Sequence, residues 1–200
     1  MSTGNEVAGR VAFRCFDSGY AELSQANYLS FVNDALADLQ AAGWVLPLEE
    51  DESLTQAAST FSYTVPATFA YISEVRMETS AAYDVAVPKW QWRLGYDGSN
   101  PVLVFDSRWW TPAGTKKIKL VGQQRFTAYE TTTTVHTGVE AFVRERAVAY
   151  ACAHLGSGSS ALAKLRQRLA EFYWQTSETL LTHQPDQHKV VPGSKSVPTR

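Results

Sequence analysis

The chain has only two cysteines, Cys15 and Cys152, and they lie far apart. Two thiols placed this way do not make a disulfide framework, and a reducing compartment is the simpler expectation. It also lacks an excess of charge: 18 basic against 20 acidic residues leave a net charge of −2. That balance argues against a body given over to phosphate-backbone binding, which needs a basic stripe. No apolar run approaches the roughly 20 residues of a membrane span. The first twenty residues are polar and broken by glycine, so no signal-peptide core is expected. There is no glycine-rich phosphate loop, nucleotide fingerprint or metalloprotease motif. The run Gly156-Ser-Gly-Ser-Ser160 has the wrong spacing for a nucleophile elbow. The expectation is a soluble chain made in the cytoplasm, with no catalytic residue, no metal site, no cofactor and no membrane partner.

Apolar and aromatic side chains are plentiful. Hydrophobic residues make up 44% and aromatics 12% of the 200 residues, enough for a packed core. A chain of this length buries roughly 70% of its unfolded surface and needs no staples. One domain with a sizeable insertion fits it.

Leu29, Val32, Leu36 and Leu39 recur at helical spacing and predict a helix over 24–42, with Ser24 as N-cap and Gly43 as stop. Val139, Phe142, Val143, Ala147, Tyr150, Ala151 and Leu155 predict a second helix over 139–155. Leu162, Leu165, Leu169, Phe172 and Tyr173 predict a third over 160–181, capped by Ser159 or Ser160, and the last two make a helical hairpin. Between them, from about 60 to 126, the period drops to two. Strands are expected at Thr60–Val65, Ile72–Thr79, around Trp90, Trp92, Leu94 and Tyr96, at Val102–Phe105 and at Lys116–Val121. Turns fall at Tyr96-Asp97-Gly98-Ser99-Asn100 and Thr111-Pro112-Ala113-Gly114. The fold class is α+β: a three-helix bundle with an inserted antiparallel β-sandwich or small barrel. Val11, Phe13 and Cys15 alternate and suggest a short strand or an arm. The carboxylates Glu49 to Glu52 read as a solvated loop. Thr131–Thr134 reads as an extended link. Residues 183–200, with three prolines and little apolar bulk, read as an extended tail too poor in apolar surface to fold alone.

Few residues suggest chemistry. Cys152 and His154, two apart on a helix, point in different directions and cannot share a metal face. Asp34 and Asp38 form an i, i+4 carboxylate pair, but opposite the apolar stripe, where a solvated face is the simpler account. His183 and His188 fall in the tail and read as linker residues. Trp90 and Trp92 alternate as in a half-buried strand. One indole of Trp109-Trp110 must face away from the core, which makes Trp109 and Trp110 candidates for a subunit contact.

The order of elements is itself a signal. Phe31-Val-Asn-Asp-Ala-Leu-Ala-Asp-Leu39 opens a first helix, and Tyr63-Thr-Val-Pro66 leads into the β-insert. Trp92-Arg-Leu-Gly-Tyr-Asp-Gly98 makes its hairpin. Ala147-Val-Ala-Tyr-Ala-Cys-Ala-His-Leu155 starts a closing helical hairpin that carries Glu171-Phe-Tyr-Trp174. Over residues 24–182 this resembles the head-to-tail adaptor (connector) proteins of tailed bacteriophages. The resemblance implies a single adaptor domain over 1–182 and a structural virion protein of the neck. It implies a dodecameric ring between the portal protein and a downstream tail or neck protein, lining the channel that DNA crosses. It also implies that the C-terminal tail docks on the portal. Lys189, Val190, Val191, Lys195 and Arg200 are the residues offered for that contact, the cations also lying near channel DNA without reading its sequence. The competing expectation is a carbohydrate-binding virion or tail module that uses the sheet tryptophans.

Overall fold

A computed structural model describes residues 2–79, 82–98, 100–111 and 114–197. The turn residues Ser99, Pro112 and Ala113 therefore lie outside the described residues. The chain forms two compact units. One runs to Trp44 and resumes at Thr127–Asp186; the other comprises Val45–Phe126 with the chain from Gln187 on.

The helical unit holds α1 (Gly4–Arg14), α2 (Gln25–Ala41), α3 (Thr137–Leu155) and α4 (Ala161–Thr182). Among the described residues there are four α-helices where three were expected. The additional one is α1, in the place of the expected strand or arm. Its buried residues are Val7, Ala8, Val11, Ala12 and, just past its end, Cys15, while Phe13 is exposed. The relevant spacing is therefore the helical one, not the alternation of Val11, Phe13 and Cys15. A capping box starts it: the Glu6 N–H donates to Thr3 Oγ1 and the Thr3 N–H to Glu6 Oε2. Ser24 caps α2 and Ser160 caps α4, as expected. Gly43 ends α2 at a φ of 82°.

Helix α3 is the axis of this unit. Val139, Phe142, Val143, Ala147, Val148, Ala151 and Cys152 are buried on it, and so are Glu145 and Arg146. Each buried charge is met. Glu145 accepts from Arg14 at 2.6 Å and from Arg144 at 2.8 Å. Arg146 stacks 3.8 Å from the centre of the Trp174 ring and pairs with Glu178. Asp38 accepts from the Tyr150 hydroxyl at 2.6 Å, so it is a tie between helices and not part of a solvated face. The thiols of Cys15 and Cys152 meet at 3.2 Å in the interior. The hydrogen bond with the Cys152 sulfur, and then burial, push the Cys15 thiol up.

The loop between α1 and α2 is organised by one carboxylate. Asp17 accepts from the N–H groups of Ala21, Glu22 and Leu23 and from the Tyr28 hydroxyl at 2.8 Å. Burial pushes this acid up, but the four donors outweigh burial and hold it below the usual carboxylate range. Beside it Arg166 of α4 reaches both oxygens of Glu22 and the carbonyl of Cys15.

The second unit carries β1 (Leu48–Thr55), β2 (Ser62–Thr64), β3 (Phe69–Thr79), β4 (Ala82–Ala86), β5 (Trp92–Asp97), β6 (Asn100–Phe105), β7 (Lys117–Gln124) and β8 (Lys195–Ser196). Among the described residues the strands form two antiparallel sheets. One has the order β1-β7-β3-β4 with β8 also on β3; the other has the order β2-β6-β5. Both feed one apolar cluster, with Phe69, Ile72, Val75, Ile118 and Leu120 from the first and Tyr63, Trp92, Leu103 and Phe105 from the second. Gly122 is required where β3 bulges, because a side chain there would run into the Tyr71 carbonyl and the Phe69 ring.

Two sequence expectations change in this unit. The run Glu49 to Glu52 is strand β1, not a solvated loop. Lys119 on the neighbouring β7 bridges Glu50 at 2.7 Å and Glu52 at 2.9 Å, a cross-strand pairing that a run of like charge does not reveal. Trp90 precedes β5 in a turn and is exposed, whereas Trp92 is buried, so the two do not share a strand face.

Two measurements test these cores. Asp17→Ala should cost about 3 kcal/mol or more in urea unfolding, because it strands three N–H groups and a buried hydroxyl. An acid depressed in the fold contributes stability above its unfolded pKa and loses it as pH falls through the folded one. Acid unfolding of the helical unit should therefore steepen below about pH 4, and Asp17→Asn should blunt it. Trp92→Ala should destabilise the β unit by about 3–5 kcal/mol; a change below about 0.5 kcal/mol would match an exposed residue and contradict the burial.

Candidate functional site

The C-terminal segment is not an extended tail as far as Val197. Helix α4 stops at Thr182, and Asp186–His188 makes a short 3-10 turn. The His188 ring is buried and lies 6.1 Å from the Phe126 ring. Its Nδ1 donates to the Val45 carbonyl at 2.8 Å, since a carbonyl can only accept. Gln123 of β7 then clamps the chain. Its Nε2 donates to the Lys189 carbonyl at 2.7 Å, and its Oε1 accepts from the Val191 N–H at 2.9 Å. The chain turns at Gly193, whose φ is 77°, and Lys89 Nζ donates to the Gly193 carbonyl at 2.5 Å.

Beyond the turn the segment joins the sheet. Lys195 stands opposite Ile72 and Ser196 opposite Tyr71, a ladder of two residues. The Val197 N–H donates to the Ala70 carbonyl at 2.7 Å, and Arg125 reaches the Val197 carbonyl at 3.1 Å. Val197 itself, 2% exposed, belongs to the apolar cluster.

The residues singled out from sequence therefore divide. Lys189 is exposed, and Val190 and Val191 are half-buried. Lys195 is engaged within its own unit: its ammonium donates to the carbonyls of Lys89 and Trp92 and sits 3.9 Å from the Trp92 ring centre. Burial, and then the charge of Lys89, lower its pKa. Arg200 lies outside the described residues. The fixing residues Gln123, His188 and Val197 were missed. Composition averages over a segment, so it cannot show that one valine and two backbone groups have partners more than sixty residues away.

The tryptophans also divide. Trp110 is buried and stacks on Phe105 at 3.7 Å between ring centres, so it is a core residue, which corrects its place among the interface candidates. Trp109 is 60% exposed and Trp90 62%. Their rings meet edge to face at 5.2 Å. Next to them is a depression of about 560 Å³ bordered by Phe61, Gln91, Arg93, Val104 and Asp106. Arg108 grips Asp106 through two nitrogens and holds its carboxyl at about 2. Because one indole edge covers the face of the other, the pair is not a flat platform for a sugar ring.

Among the described residues no group of three or more histidine, cysteine or acidic side chains is placed to hold a metal ion. No described helix is long and apolar enough to cross a membrane.

No protein-family profile matches the chain, and no curated protein does. Solved structures are similar to it over most of its length. A chain of the neck of an empty GTA particle, computed with C6 symmetry, is 20% identical, covering 82% of this chain and 87% of that one at a TM-score of 0.35. A chain of the virion of a native gene transfer agent particle is 18% identical and covers 96% of both chains at a TM-score of 0.36. A chain of the neck of a native GTA particle, computed with C12 symmetry, is 20% identical, covering 74% and 81% at a TM-score of 0.30.

Gln123→Ala should loosen the C-terminal segment without unfolding either unit. It removes both side-chain bonds to Lys189 and Val191, each worth about 1 kcal/mol. Hydrogen exchange at Val191 and Val197 should quicken by about tenfold or more. Unchanged exchange would mean that the sheet edge alone holds the segment.

Proposed function

We propose that this chain is a structural neck protein of a phage-like particle, a head-to-tail adaptor. In this reading it forms a ring, a dodecamer, between the portal and the downstream tail or neck protein, and the ring surrounds the channel DNA crosses. The chain is made in the host cytoplasm and resides in the virion. The observation that carries the reading is the build of the chain. Helices from both sides of a β-insert form one unit, and within the β unit the chain from Gln187 on is held to a sheet edge by a two-residue ladder. The order of a first helix, a β-insert and a closing helical hairpin over residues 24–182 is the one in which the sequence resembles the adaptor proteins.

The portal contact is assigned to the C-terminal segment after it leaves that edge. A ladder of two residues is a short fastening, and its release together with the Gln123 clamp exposes Val190, Val191 and Val197 as apolar anchors. It also frees Lys195, which joins Lys189 and Arg200 as cations for acidic or carbonyl-lined portal surface, or for DNA phosphates. Trp109, exposed against Trp90, is assigned to a protein contact of the β unit.

The experiment is co-sedimentation with DNA-filled, tailless heads that carry the portal. Full-length protein should attach, and a chain ending at His188, which lacks Lys189, Val190, Val191, Lys195, Val197 and Arg200, should attach at least about tenfold less. Near-UV circular dichroism would confirm that the shortened chain is folded. Equal attachment of both forms would refute docking by the segment. Failure of both, with the protein found instead on fibres or at the tail tip, would refute the adaptor reading and favour a carbohydrate-binding module.

A further inference from the structure

Helix α4 leaves two apolar surfaces open, and they lie on opposite flanks. The first is a ridge of Leu162, Leu165, Leu169 and Phe172; Leu162 and Leu165 are exposed, and Phe172 is 59% exposed. The second is a groove of about 480 Å³ between α3 and α4. Its small residues are Ala149 and Ala153 on α3 and Ala170 on α4. Its walls are Tyr150 and Trp174, whose rings meet edge to face at 5.9 Å. At about 100° of turn per residue, the ridge is centred about 170° away from the α4 side of the groove. The buried residues Ala163, Arg166 and Ser177 lie between them.

A surface that buries one flank cannot reach the other. Two-fold pairing through either flank would leave its opposite open on both copies. Seating the ridge of one copy in the groove of the next covers both flanks of every copy, and repetition gives a head-to-tail series. The shapes match, with large branched and aromatic side chains facing a trough of alanines, the arrangement in which ridges pack into grooves.

Two further observations favour a second copy as the occupant. The end of α1 lies on the ridge side, where Arg14 stands over the Tyr173 ring and Arg166 binds the Cys15 carbonyl. There Phe13 is 71% exposed, and the likewise exposed Phe16 is held at a φ of 60°. That is a conformation in which glycine is the ordinary choice and a bulky residue costs energy. Charge also differs between the flanks. Asp34, Asp38, Glu171 and Glu178 stand around the groove side with Arg146 among them. The α1 end beside the ridge carries Arg10, whose side chain is 50% exposed although paired with Glu140, and Arg14, which is paired with the buried Glu145.

We propose that the Leu162–Phe172 ridge of one copy, extended by Phe13 and Phe16, seats in the α3–α4 groove of the next and forms the subunit contact of the ring. This deepens the adaptor reading and rests on it for the closed assembly.

The test uses two full-length variants. Leu165→Glu with Phe172→Glu breaks the ridge and keeps the groove. Ala153→Trp fills the groove and keeps the ridge. All three positions are exposed in the single chain, so circular dichroism should stay that of the wild type. Sedimentation velocity and native mass spectrometry over rising concentration should show wild-type protein passing beyond dimers, and each variant weakened at least about thirtyfold. An equimolar mixture of the variants should recover a one-to-one dimer and stop there, because it holds one intact ridge-and-groove contact. Recovery of nothing, or variants assembling like the wild type, overturns the proposal. If those unaffected variants still load portal-bearing heads in wild-type number, the ring reading stands and its contacts lie elsewhere. Variants that assemble normally but no longer load heads would give the flanks to the portal or the tail protein, which also overturns the proposal. A wild-type chain that remains single both in solution and on heads overturns it together with the ring reading.

Discussion

The helical unit depends on a helix that is buried nearly all round. With neighbours on most sides, α3 has no free face for its charged residues, so Glu145 and Arg146 are carried inside. A buried charge is tolerable only when it is paired and hydrogen-bonded. The unit meets that condition by drawing Arg14 from α1, Asp38 from α2 and Glu178 from α4 onto α3. These ties fix which face each outer helix turns inward. Once α4 has committed Ala163, Arg166 and Ser177 to the interior, its leucine ridge and its alanine side have nowhere to go but outward. The open apolar flanks follow from the polar interior.

The β unit solves a different problem. Its two sheets share one apolar cluster, and the chain that leaves α4 returns to close part of it with Val197. The closing strand is short, so most of its hold comes from side chains beyond the ladder: Gln123, Lys89 and Arg125. The segment is thus fastened at several separate points, each of ordinary strength, and not by a long run of strand pairing.

Much of this was legible in the sequence. The stripe of α2, the crowded pattern of α3, the Ser24 and Ser160 caps and the hairpin of β5 and β6 all follow from local spacing. Most of what failed shares one physical cause, a deciding partner that is remote, and α1 is the exception. Helix α1 looked like a strand because Val11, Phe13 and Cys15 alternate, although the capping box of Thr3 and Glu6 was a local sign that could have corrected it. Strand β1 looked like a loop because Lys119, which makes its carboxylates tolerable, is about seventy residues away. The C-terminal segment looked free because Val197 has value only against a core built from β3 and β5. Trp109 and Trp110 were legible as one in and one out, but their order was not.

The carboxylates of β1 have a consequence for crowding. A protein that is concentrated many-fold in one place exposes every unpaired strand edge to copies of itself. Here the outermost strand of the larger sheet carries Glu49, Glu50, Asp51 and Glu52, with a break in register after Asp51. Two such edges brought together would set like charges side by side and mismatch their backbone groups. Lys119 reaches two of the four acids, so a net repulsion remains. The same residues that blurred the strand in the sequence keep that edge from growing into a shared sheet.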